Sequence, residues 1–163
     1  MKYGKDFWVL DPVTGERLPV MKWPKLEPFR YPDRSRGFWL LEDYAVEFVF
    51  RKMRWHMTIK AGYDTDGASK PRLFWSLIGD PLRLEVCIAA LVHDILFCAH
   101  HPAWPLGLTN ALFGEIIQAS GGNWAYRQAC LRAVQACGWA LWSKKPEELE
   151  KYSPMLIATP SLA

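Results

Sequence analysis

No pair of cysteines in this chain has the close C-x₂₋₄-C spacing that zinc ribbons and fingers use. Cys87, Cys98, Cys130 and Cys137 are spread over two apolar stretches, which excludes a paired-cysteine metal site and a disulfide knot. Free thiols that fill small gaps in a core, in a cytoplasmic protein, are the expectation. Long apolar runs are missing too. The longest, 86–99, is broken by His93 and Asp94, whereas a bilayer span needs about 18 apolar residues. The segment 1–6 lacks the apolar core of a signal peptide, so export by that route is not expected. Charge of one sign is also scarce, with 20 Lys and Arg against 17 Asp and Glu. Residues 1–60 carry 12 basic and 8 acidic side chains, the remainder 8 and 9. That balance is far from a dense basic stripe, and sequence-specific nucleic-acid binding is not expected. Phosphate-binding loops, dinucleotide fingerprints, G-x-S-x-G elbows and H-E-x-x-H helices are all absent.

What remains is a composition of 50% hydrophobic and 23% charged residues over 163 positions, the balance of one folded domain with terminal arms. Five of the 12 prolines, Pro12, Pro19, Pro24, Pro28 and Pro32, fall before position 37, among Trp8, Trp23, Phe29 and Tyr31. Proline removes a backbone donor, so this stretch is neither a continuous helix nor a central strand. Its aromatics argue against a free tail. Residues 1–36 therefore read as an extended arm that packs on the domain or on a partner.

The pattern changes at Gly37. Segments 38–41 and 45–50 are rich in aromatic and β-branched residues, and Trp55 to Ala61 alternates with Trp55, Met57, Ile59 and Ala61 on one side. A polar loop follows at 62–69, with Asp64, Thr65, Asp66, Gly67 and Ser69. Helices are expected over 72–78, from Leu82 to about Ala99, from Leu108 to about Ala119, and from an Asn123 cap to about Trp142. In the last of these, Leu131, Val134, Gly138, Leu141 and Trp142 recur at helical spacing. The segment 143–163 reads as a tail holding at most a short charged helix. The expected fold is α+β: a small antiparallel sheet of two to four strands beside three or four helices, with the globular part over 37–142.

Chemistry points to His93-Asp94. Burying an imidazole and a carboxylate in an apolar helix costs several kcal/mol unless each finds a partner. Successive helical residues point about 100° apart, so each must look elsewhere. The Thr65-Asp66 turn and Asn110 are the candidate partners. If the helices at 82–99 and 108–119 run antiparallel, the Asn110 oxygen can accept from His93 and fix its tautomer. Two readings stand. His93 acts as general base with Asp94 and Asp66 as metal or water ligands and Thr65, Ser69 and Asn110 in support, or the same residues form a polar staple. Oxygen ligands would suit calcium, magnesium or manganese. His100 and His101 would extend a metal site only weakly, His56 is expected at the surface, and Trp104 is the tryptophan expected to be most exposed.

The run 61–71, followed by Ala89-Ala90-Leu91-Val92-His93-Asp94-Ile95-Leu96-Phe97, resembles an uncharacterised family of phage and prophage proteins. That family has a core of the form G-[FY]-x-T-D-x-A-S-x-P and H-D-x-L-[YF]. Asn110-Ala111-Leu112-Phe113 stands where the family commonly has A-D-x-x-F, and Val134 to Gly138 matches its apolar helix, so the likeness covers about 37–142. His93 to Phe97 is also similar to the H-D-x-x-Y helix of secreted phospholipases of the A2 type, but with Phe97 for tyrosine, Asn110 for a carboxylate and no calcium loop. The resemblance implies a phage accessory protein in the host cytoplasm or the virion. It is expected to be a non-enzymatic virion, assembly or host-interacting protein that docks a phage structural or host protein through residues 1–36. The alternative is a metal-assisted hydrolase of cell-envelope peptidoglycan or of a lipid ester or amide.

Overall fold

Alternation along Tyr44–Phe50 and Met53–Ile59 sends Tyr44, Val46, Phe48, Trp55, Met57 and Ile59 to one face, and all six are buried there. These strands, β4 and β5, form a hairpin in register from Tyr44↔Ile59 to Phe50↔Met53. Arg51 and Lys52 close it with φ of 52° and 65°, the left-handed pair that a two-residue hairpin turn needs. The structure, a computed structural model, describes residues 6–30, 36–65, 84–99, 101–141 and 146–162. The expected helix over 72–78 lies outside the described residues, as do Asp66, Ser69 and His100.

Strand β1 (Phe7–Leu10) pairs with β4, and β7 (Leu156–Leu162) pairs with β5, giving an antiparallel sheet in the order β1-β4-β5-β7. A second antiparallel sheet has the order β2-β3-β6, from Leu26–Arg30, Arg36–Leu40 and Asp64–Thr65. Four helices are described: α1 Leu84–Ala99, α2 Leu106–Ala119, α3 Trp124–Leu141 and α4 Pro146–Tyr152. The fold is α+β, as the sequence pattern implies, with two sheets in place of one. Residues 7–10 and 26–30 enter the sheets through backbone ladders, and the short charged helix expected near the C-terminus is α4. Strand β7, which follows α4 and a 3₁₀ turn at Ser153–Met155, was not anticipated.

Helix α1 carries buried residues on every side, from Val86 through Ile88, Ala89, Leu91, Val92, Ile95 and Leu96. A helix apolar all round belongs at the centre. It packs on α2, α4, β6 and β7. Asn123 caps α3, its Oδ1 accepting from the Tyr126 amide at 2.9 Å. The preceding helix ends tightly, with the Gly122 amide on Ile117 O at 2.9 Å, so closely that a Cβ on Gly122 would lie 2.6 Å from Ile117 Cγ2. No helix among the described residues is long and apolar enough to cross a membrane.

Trp104 corrects the sequence expectation. Its amide bonds His101 O at 2.8 Å, which turns the indole inward, and only 1% of the residue is exposed. There it meets Phe48, Phe50 and Trp55, with ring centroids 4.9–5.8 Å apart.

Candidate functional site

The centre of α1 is where its apolar pattern breaks, and the breaks are satisfied from two other elements, α2 and β6. His93 is 8% exposed, with its ring between Phe97 and Phe113 at centroid distances of 5.9 and 5.3 Å. Its Nε2 lies 2.9 Å from Oδ1 of Asn110 on α2. An amide oxygen only accepts, so Nε2 is the protonated nitrogen. The two helices pack side by side, which places Asn110 against His93 as the sequence spacing requires.

Asp94 finds a different partner. Thr65 Oγ1, on β6, donates to Asp94 Oδ2 at 2.8 Å. Thr65 is buried, while the Asp94 side chain keeps 20% of its surface in solvent. His93 Nδ1 stands 3.5 Å from Asp94 Oδ1, a contact the helical geometry was expected to forbid. The distance is long for a hydrogen bond, so the principal partners remain Asn110 and Thr65. The result is a chain of polar groups, Asn110–His93–Asp94–Thr65, that crosses from α2 through α1 to β6. Of the candidate residues, Asp66 and Ser69 lie outside the described set. Among the described residues no three His, Cys, Asp or Glu side chains come together as a metal-holding group.

Two other buried charges escaped the sequence reading. Asp64, beside Thr65, is buried and ion-paired with Lys151 of α4, Nζ to Oδ1 at 2.7 Å. Tyr63 meets Tyr152 edge-on at 5.4 Å, so residues 63–64 are gripped by the last turn of α4. A run of mixed charges around Lys151 carries no local sign of this contact. The other charge is Glu47, 4% exposed on β4, where Arg17, Arg54 and His56 converge. His56 Nε2 sits 3.1 Å from Glu47 Oε2 and Arg54 Nη1 3.1 Å from Oε1. Arg17 also covers the Trp8 ring at 3.8 Å. A carboxylate inside the apolar run 45–49 was the available signal. His56 is thus partly exposed, as expected, but engaged.

His101 lies past the end of α1 and packs edge-on against Trp55 at 6.4 Å. Burial pushes its pKa down and favours the neutral ring. Cys87 is buried as expected of a core-filling thiol, and burial pushes its pKa up to about 11. Lys60 and the Ala61 amide hold the Asp43 carboxyl below the usual range.

No curated protein and no solved structure matches the chain. A family model described as "Protein of unknown function (DUF1353)" matches residues 39–134, a stretch that holds Thr65, His93, Asp94 and Asn110. The chain belongs to this family, whose function is not established.

Proposed function

We propose that this chain is a non-enzymatic accessory protein of phage origin, a virion, assembly or host-interacting component, in which Asn110, His93, Asp94 and Thr65 form a structural staple. One observation carries the reading. His93 is only 8% exposed, and its Nε2 lies 2.9 Å from the Asn110 oxygen, so the imidazole is buried and tied to the neighbouring helix. A general base needs a nitrogen within reach of the proton it abstracts. Here the ring is instead enclosed by Phe97 and Phe113 and spends its polarity on joining α1 to α2. Docking of a phage structural or host protein through residues 1–36 is supported by Val13, Val20 and Trp23, which are large, apolar and exposed in that segment.

The partial exposure of Asp94 favours a second reading. In it, Asp94 and Asp66 hold a divalent cation such as calcium, magnesium or manganese, and the site hydrolyses an envelope ester or amide. His93→Gln separates the two. Wild type and variant are assayed on peptidoglycan and on ester and amide substrates, with and without each cation, alongside thermal melts. The staple reading expects no hydrolysis by either protein and a lower melting temperature for the variant. Cation-dependent hydrolysis by wild type, lost in a variant that melts like wild type, would establish the hydrolase instead.

A further inference from the structure

The outer edges of the two sheets share a device that depends on register. In an antiparallel pair, alternate residues turn both N–H and C=O toward the partner, and those between turn both away. The Lys60 amide donates to Met155 O at 2.9 Å, which fixes the phase of the β5–β7 ladder. With Ile59↔Leu156 and Trp55↔Pro160 in register, Ile157, Thr159 and Ser161 bond to β5. Leu156, Ala158, Pro160 and Leu162 therefore turn their backbone to the outer edge. In the second sheet the Leu41 amide donates to Lys25 O at 2.9 Å, and Pro28 pairs with Phe38. The same counting makes Glu27 and Phe29 the residues that bond to β3, and turns the backbone of Pro28 outward.

Each of these edge strands thus carries a proline in mid-strand, at a position where the missing N–H costs its own sheet nothing. Among the described residues no strand lies beyond β2 or β7. The remaining long edge is handled otherwise: Leu18 donates to Val9 O at 2.9 Å and Arg17 bridges Leu10, so the chain covers β1 itself. An uncovered edge strand is a template for pairing with another chain, and an outward-facing proline removes a donor and puts its ring in the incoming strand's path.

We propose that Pro28 and Pro160 close the outer edges of the two sheets to strand addition by a second copy of this chain. The inference is independent of the staple, since it rests on backbone register alone.

The test restores the missing donors in the full chain. Pro28→Thr/Pro160→Thr and wild type are compared by sedimentation velocity over a matched concentration series, with hydrogen exchange read at positions 28 and 160. Expected are self-association at least tenfold tighter than wild type and protection of the two new amides that grows with concentration. A folded double variant that sediments like wild type throughout would overturn the proposal, and Pro160→Thr alone gives the same reading if the double variant does not fold. Thr159→Pro checks the register. It removes an amide that bonds to β5 and should lower the melting temperature, whereas an unchanged melting temperature would also overturn the assignment of Pro160 to the outer edge.

Discussion

Asn110 Oδ1 accepts the Nε2 proton of His93 across 2.9 Å in a site where neither residue is more than 8% exposed. Removing the acceptor leaves a buried N–H without a partner, which costs about 1–3 kcal/mol. Asn110→Ala should therefore destabilise the protein by that amount in urea titration. At this chain length each kcal/mol moves the melting temperature by about 2–4 °C. A variant as stable as wild type would show that water or another group replaces the amide.

Thr65 tests the other end of the chain of contacts. Its hydroxyl donates to a carboxylate, and such charge-assisted bonds contribute about 1.5–3 kcal/mol. Thr65→Val keeps the β-branched shape that suits β6 and should lose that amount, while Thr65→Ser keeps the donor and should lose less than half of it. A loss in Thr65→Ser with none in Thr65→Val would assign the effect to the methyl group.

The polar centre was visible in the sequence because it breaks a pattern. His93 and Asp94 interrupt an apolar helix, and the prolines and glycine at 102–107 imply a turn that returns the next helix past them. Thr65 was visible as a hydroxyl in the polar turn at 62–69. Strands β4 and β5 and helices α1–α3 were readable for the same reason, since local periodicity reports a buried face. Strands β2 and β7 were not. Pro28 and Pro160 disguise them, because an outward-facing proline is harmless at a sheet edge and only register reveals which way it faces. The Asp64–Lys151 pair was hidden for a related reason: its partners are far apart in sequence, and nothing near either one signals the other.

Two turn positions give predictions of opposite sign. Lys52 holds φ at 65° with a side chain that disfavours it, in the two-residue turn between Phe50 and Met53. Lys52→Gly should stabilise the protein by about 0.5–1 kcal/mol in urea titration. Gly122 presses on Ile117, with the carbonyl oxygen 2.9 Å from where a Cβ would sit. Gly122→Ala should destabilise by about 1–3 kcal/mol, the usual cost of overpacking. Reversed signs would mean that neither turn is built this way.

Titration supplies a pair of pH windows. The Asp43 carboxyl is held below the ordinary aspartate value of 3.8, first by Lys60 and then by the Ala61 amide. A carboxylate with a depressed folded pKa adds stability that is present above the unfolded value and lost as pH falls through the folded one. Asp43→Asn should therefore reduce stability at pH 7 and flatten the loss below pH 4. Cys87 runs the other way. Its pKa rises from 9.0 to about 11, so its contribution is full below 9 and is lost as pH climbs toward 11. In native protein at pH 8, Cys87 should resist alkylation that goes to completion once the chain is unfolded.

The most direct test of the staple is the proton on His93 itself, read by long-range ¹H–¹⁵N correlation of the imidazole at neutral pH. A ring protonated at Nε2, exchanging slowly with water in wild type and rapidly in Asn110→Ala, is the predicted result. A ring protonated only at Nδ1, or an Nε2 proton that exchanges freely in wild type, would contradict it.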